Sequence, residues 1–232
     1  METPHRAQAI DLSHTVEHGL VTYRGLPAPI ICDYLSREAS RAVYAPGTEF
    51  HIGKIEMVAN TGTYVDSPFH RYADGRDLAA LDLARLADVE AIVIRCRPQP
   101  GADPSQRAIS AAAIADLGVD LRDKAVLFDT GWDRHFGSEA YFSGHPFLTA
   151  DAARYLVAAR PAIVGIDSLN IDDTSDGTRP AHSFLLGADI PIVEHLTRLD
   201  ALPDRDARFF AVPVKVRAFG TFPVRAFALA SR

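Results

Sequence analysis

Cysteine is nearly absent from this chain of 232 residues: Cys32 and Cys96 are the only two, far apart and in no ligand-like spacing. That argues against a disulfide framework, and the expectation is two buried free thiols in a reducing cytosol. Basic charge is also scarce. Twenty-four Lys and Arg face 30 Asp and Glu, a net charge of −6 with no basic run, which speaks against nucleic acid or an anionic membrane as a partner. No apolar stretch is long enough to cross a bilayer, and Met1–Arg6 lacks the apolar core of a secretory signal, so a soluble cytoplasmic protein is expected. Missing too are Gly-x-Gly-x-x-Gly and Gly-x-x-x-x-Gly-Lys, which cradle nucleotide phosphates, and the Gly-x-Ser-x-Gly elbow of serine hydrolases.

What remains is nearly half apolar, and its length suits one compact domain over residues 1–232. Alternation predicts strands over 9–16, 30–36 and 50–58, and apolar runs predict strands over 91–96, 124–129 and 162–167. Pro98, Pro100 and Gly101 mark a loop. Ser110 and Thr149 are placed to cap helices running to Leu117 and about Arg160. Residues 134–148 read as a long loop, and 209–216 with 222–229 as a closing hairpin around Gly220. Strands alternating with helices before a β-rich end indicate a mixed α/β domain.

One stretch concentrates chemistry: Asn60-Thr-Gly-Thr-Tyr64-Val-Asp66-Ser-Pro-Phe-His70. Gly62 permits backbone conformations closed to other residues, and Pro68 stiffens the segment between Asp66 and His70. If extended, it places Asn60, Tyr64, Asp66 and His70 on one face. Such a face suits a metal or a reacting group; a polar loop satisfying its own backbone is the other reading. Further on, His182 and Glu194 flank an apolar stretch ending Ile190-Pro-Ile-Val-Glu194. With Asp66 and His70 they supply two imidazoles and two carboxylates, enough to bind Zn²⁺ or Mn²⁺ and leave a general base. Alternatively His182 caps a turn and Glu194 pairs with Arg198.

These residues resemble the cyclase family of metal-dependent hydrolases, which includes kynurenine formamidases and isatin hydrolases. The family motif His-x-Gly-Thr-His-x-Asp-x-Pro-x-His is similar to residues 60–70, and its later His and Glu are matched by His182 and Glu194 in a Leu-Leu-Gly…Ile-Pro-Ile-Val-Glu context. Asp11-Leu-Ser-His14, Thr130-Gly-Trp132, His145-Pro146 and Gly165-Ile-Asp167-Ser-Leu-Asn-Ile-Asp172 extend the likeness along the chain. The resemblance implies a swivelling β/β/α fold, a mixed, partly barrel-like sheet flanked by helices, in homodimers or larger homo-oligomers. It implies a divalent metal, Zn²⁺ or Mn²⁺, on Asp66, His182 and Glu194, with His70 moving protons and the carboxylates of Asp66 and Glu194 sharing in catalysis. The reaction implied is hydrolysis of an amide-type bond in a small, often aromatic molecule.

The chain departs from the motif at Asn60 and Tyr64, which stand where the family has histidines. An amide oxygen is a weak donor, and a phenol must first lose a proton held to a pH of about 10. Three readings follow: a hydrolase with a reduced metal site; a metal-independent cyclase, dehydratase or isomerase using His70; or a non-catalytic binder of a small ligand. Asn60 and Tyr64 are candidate substrate contacts. Trp132, with Tyr23, Phe136, Tyr141, Phe142 and Phe147, is a candidate for lining an aromatic pocket, although core packing suits such residues equally. His14 and His145 sit in motifs that place them near the site. His51, His135 and His195 read as structural or surface residues, with His195 facing away from Glu194 across the strand.

Overall fold

The computed structural model describes residues 7–97 and 106–230. Met1–Arg6 and the expected loop at Pro98, Pro100 and Gly101 lie outside the described residues. The chain begins with β1 (Gln8–Asp11), β2 (Ile30–Leu35), α1 (Arg37–Ser40), β3 (Ile52–Glu56) and β4 (Tyr64–Asp66). It continues through β5 (Val89–Arg95), β6 (Ala108–Ile109), α2 (Ala111–Ala115), β7 (Ala125–Asp129) and β8 (Phe147–Leu148). After α3 (Ala150–Ala159), β9 (Ile163–Ile166), α4 (Pro180–Gly187) and β10 (Ile192–Glu194), it closes with β11 (Ala207–Phe210), β12 (Thr221–Pro223) and β13 (Phe227–Ala230).

Nine of these strands form one sheet in the order β1-β13-β11-β5-β7-β9-β10-β4-β12. Its middle is parallel, β5 beside β7, β9 and β10, and its flanks are antiparallel. The sheet curls into a half-barrel, giving the mixed, partly barrel-like arrangement expected. The parallel strands are the apolar runs of the sequence because both their faces are covered. Val93 and Leu127 face one core, with Leu12, Val65 and Phe209. Ile92, Ile94, Val126 and Phe128 face the other, beneath Leu156 of α3 and Leu185 of α4. The Thr149 side chain accepts the Ala152 amide at the start of α3, and Arg160 ends that helix in the left-handed region at φ 58°.

Several expectations change in the structure. The first strand stops at Asp11, because the chain then turns to let Ser13 pair with Leu196. The closing hairpin does not form around Gly220: β11 pairs with β13, while β12 crosses to β4. Residues 180–187 are helical, which the sequence concealed because the outward-facing Phe184 and Gly187 leave no charged stripe opposite the buried Ala181, His182, Leu185 and Leu186. Cys32 is exposed rather than buried, lying on β2; both cysteines are free. Among the described residues no helix is long and apolar enough to cross a membrane.

Candidate functional site

The site grows from the register of β4, which runs between β10 and β12. Residues directly opposite on neighbouring strands bring their side chains within contact. On one side Tyr64 stands opposite Glu194, and its hydroxyl donates to Glu194 Oε2 at 2.7 Å. On the other side Thr221 stands opposite Asp66, and its Oγ1 donates to Asp66 Oδ1. Gly62 leads into β4 at φ +65°, and a Cβ there would lie 2.7 Å from Val16 Cγ2, so both backbone and space call for glycine. Pro68 then opens a short 3₁₀ turn, Pro68–His70, that bends His70 back toward Asp66. The motif is thus extended only at its centre, yet Tyr64, Asp66 and His70 converge as the alternation suggested.

His182 arrives from α4, the crossover between β9 and β10. Asp172 holds that helix end through the amides of Ala181 and His182, at 2.6 and 3.1 Å. The same carboxylate takes His182 Nδ1 at 2.7 Å, so the imidazole keeps Nε2 turned inward. Nε2 lies 3.7 Å from both Asp66 Oδ2 and Glu194 Oε1. Glu194 Oε1 accepts the Ile171 amide at 2.7 Å, so Tyr64 and Ile171, not Arg198, are its close partners. One ligand atom each from Asp66, His70 and His182 lies within 4.8 Å of the others.

The electrostatics follow from burial and neighbours. Burial pushes the Asp66 carboxyl up, but His70, His182 and Thr221 together outweigh it and hold it below the usual range. Burial pushes Glu194 up to about 7; His182 opposes this, and the Asp66 charge reinforces it. Burial opposes the charging of His182, yet Glu194, Asp172 and Asp66 raise it to about 10. Tyr64 is raised well above the ordinary phenol by burial and by the Glu194 and Asp66 charges. It is therefore a neutral donor to Glu194 rather than a phenolate ligand.

Two details decide whether these groups suit a cation. Asp66 Oδ2 is buried and has no hydrogen-bond partner. The 3.7 Å from it to His182 Nε2 is too long for a hydrogen bond, but close to the roughly 3.4 Å between two donors sharing a tetrahedral ion at about 2.1 Å. The donor set fits one divalent ion on Asp66 and His182, with Glu194 and His70 adjoining. Asn60 and Tyr64 line the same cavity, of about 490 Å³, with His70, His182 and Glu194.

The other candidates sort themselves by position. Trp132 is not among the residues lining this cavity; its indole donates to the Tyr141 carbonyl at 3.1 Å. Tyr23 does line it, whereas Tyr141 is fully buried. His145 Nε2 binds the Asp172 carbonyl, behind His182. His195 reverses expectation. Its φ of +57° ends β10 and turns its ring back, so that Nε2 meets the Tyr64 hydroxyl at 3.3 Å and Nδ1 meets Tyr141 at 2.8 Å. Because Tyr64 gives its proton to Glu194, it accepts from His195 Nε2, which leaves Nδ1 to accept from Tyr141.

The family model described as "Putative cyclase" matches residues 10–173, more than half of the chain. The chain belongs to this cyclase family. It is 26% identical over 226 residues to a kynurenine formamidase of Bacillus cytotoxicus, covering 94% of this chain and 95% of that one. Over 171 residues it is 28% identical to a kynurenine formamidase of Erythrobacter litoralis, with 73% of each chain covered. Among solved structures, an isatin hydrolase bound to the product analogue thioisatinate superposes with a TM-score of 0.83 at 24% identity, over 98% of this chain and 94% of the other. Isatin hydrolase A from Labrenzia aggregata gives 0.82 at 21%, over 97% and 94%. These likenesses establish the cyclase-family fold. Thr221 gave no signal in the sequence, His195 read as structural or surface, and Asp172 closed the family-like stretch from Gly165 with no role attached, since each takes its meaning only from what the sheet register and helix α4 bring beside it.

Proposed function

We propose that this cyclase-family protein is a metal-dependent hydrolase that opens an amide-type C–N bond in a small aromatic or cyclic molecule. A single divalent ion, Zn²⁺ or Mn²⁺, would be held by Asp66, His182 and Glu194. The observation that carries this reading is the unpartnered, buried Asp66 Oδ2 facing His182 Nε2. The kynurenine formamidase and isatin hydrolase relatives support the substrate class. When bound, such an ion polarises a carbonyl and makes a water molecule acidic enough to act as a nucleophile near neutral pH.

The chain's own residues supply orientation and proton transfer. Thr221 gives its proton to Asp66, so its oxygen accepts from His70 Nδ1, 2.8 Å away. That leaves His70 Nε2 as the basic nitrogen. His70 takes the proton of the attacking water and returns it to the departing nitrogen as the C–N bond breaks, yielding a carboxylate and an amine. Tyr64 and Ile171 fix Glu194, and Asn60 with Tyr64 offers polar contacts to a bound substrate.

A second reading is favoured by one observation: His182, raised to about 10 by Glu194, Asp172 and Asp66, can itself be the cation among these carboxylates. A metal-independent acid–base reaction through His70 would then follow. Metal analysis of protein purified without chelator separates the two. The hydrolase reading expects about one Zn²⁺ or Mn²⁺ per chain, lost in Asp66→Ala and His182→Ala, with turnover of N-formylkynurenine or isatin abolished by chelator and restored by metal. Protein that takes up neither ion, or turnover indifferent to chelator, overturns it.

The β2–β3 ribbon exposes Ile30, Tyr34, Ile52 and Ile55. A two-stranded ribbon with apolar residues in water is poorly stable alone, which supports a homodimer or larger homo-oligomer. Light scattering on the purified protein tests the assembly.

A further inference from the structure

The cavity above the site carries a charge that the reaction chemistry leaves unused. Three arginines line it, Arg24, Arg71 and Arg179, in a chain whose net charge is −6. Arg24 is neutralised by an ion pair with Glu139. The other two are not neutralised: among the described residues no carboxylate lies within ion-pair distance of Arg71 or Arg179. Nearby acids have other partners. Asp173 pairs with Arg107 at 3.7 Å, and Asp176 accepts from the Thr178 amide and hydroxyl. Each free guanidinium spends little of its capacity within the protein. Arg71 Nε reaches Ser183 Oγ at 3.4 Å, and Arg179 Nη1 reaches the Asp173 carbonyl at 3.3 Å. Five donors in a planar fork remain mostly available on each.

Their placement is shared. Arg179 immediately precedes Pro180 at the start of α4, and Arg71 touches Ser183 in the next turn of the same helix. Both therefore flank the positive end of α4, on the side of the cavity from which His182 descends. The floor has the opposite sign, with Glu194 lining it and the buried Asp66 carboxylate behind, both facing His182. A molecule that enters this cavity meets cations at its mouth and the Glu194 carboxylate at its floor.

We propose that the substrate carries a carboxylate, or an equivalent anionic group, which Arg71 and Arg179 hold at the mouth while the scissile carbonyl lies at the floor. This assignment deepens the hydrolase reading and rests on it for the reacting end alone. The two guanidiniums are specificity-determining residues: they select an anion and set which end of the molecule goes inward.

The test compares an anion with its neutral isostere. Calorimetric titration of the full-length, metal-loaded protein with 2-aminobenzoate and 2-aminobenzamide should show the anion bound at least about tenfold more tightly. That preference should fall about threefold in Arg71→Gln and in Arg179→Gln, and vanish in the double variant. In the wild type it should weaken as salt rises, a readout that needs no variant to fold. Equal affinity for the two ligands, no binding of the anion, or a preference that survives in the double variant overturns the proposal. A parallel comparison of kcat/KM for 2-formamidobenzoate and formanilide separates the two readings. Cleavage of both without preference for the acid removes the anion site and keeps the hydrolase. Anion preference in binding without cleavage of either removes the hydrolase for these substrates and keeps the anion site.

Discussion

Replacing His14 by Phe should make the protein markedly less sensitive to acid. His14 is mostly buried, its Nε2 has no hydrogen-bond partner, and its ring stacks on Phe136 with centroids 3.6 Å apart and planes 5° from parallel. Burial lowers it from 6.5 to about 4, against a small opposing effect of Asp133. In the unfolded chain the same group titrates near pH 6.5. Between pH 6.5 and about 4 the unfolded state therefore binds the extra proton and the folded state does not. Stability is complete above that window and declines as pH falls through it. At about pH 5 the group is roughly 1.5 pH units below its unfolded value, and at about 1.4 kcal/mol per unit it costs about 2 kcal/mol. Urea unfolding at about pH 7.5 and pH 5 measures this, and the quantity that matters is the difference between the two pH values. Phe keeps the stack and cannot titrate, so the variant should lose about 2 kcal/mol less than the wild type over that interval. Any cost of fitting the larger ring is common to both pH values and cancels. An identical pH dependence in the two proteins refutes the reasoning.

Two further substitutions probe the site's frame. Thr221→Val keeps the shape of a buried side chain but removes the hydroxyl shared by Asp66 and His70. It should cost about 1–3 kcal/mol of stability and lower kcat/KM by about 10- to 100-fold through the lost orientation of His70. Unchanged kinetics would show that Thr221 does not set the His70 tautomer. Gly220→Ala places a Cβ 2.6 Å from the backbone N and Cα of His70, which must move. A loss of about 1–3 kcal/mol in thermal unfolding, with a fall in activity, is expected. Wild-type values of both would mean that the contact relaxes without disturbing His70.

Much of this site is legible in the sequence, and the parts that are not share one cause. The apolar runs that become β5, β7 and β9 announce themselves because strands covered on both faces admit few polar residues. Thr149 starts α3 as its chemistry predicts, since the cap is a local event. Helix α4 is hidden because its outward positions carry Phe184 and Gly187, so no charged stripe stands opposite the buried face of Ala181, His182, Leu185 and Leu186. The closing hairpin fails for a different reason. Local alternation shows which residues are extended but not which strand each will pair with, and β12 crosses to β4.

The sequence by itself determined the family, the sheet's central strands and the candidate donors Asp66, His70, His182 and Glu194, because these rest on residue identity and short spacing. Only the tertiary structure decided what those donors are. Register across β4 gives Tyr64 to Glu194 and Thr221 to Asp66. A left-handed backbone at His195 turns a ring expected on the far face toward Tyr64. Helix α4 sets His182 against Asp172, and the packing of Arg71 on it brings Arg71 and Arg179 to one cavity. Protonation, tautomer and charge balance depend on neighbours a few ångströms away, and those neighbours come from segments more than a hundred residues apart, such as Thr221 beside Asp66 and Arg71 beside Ser183.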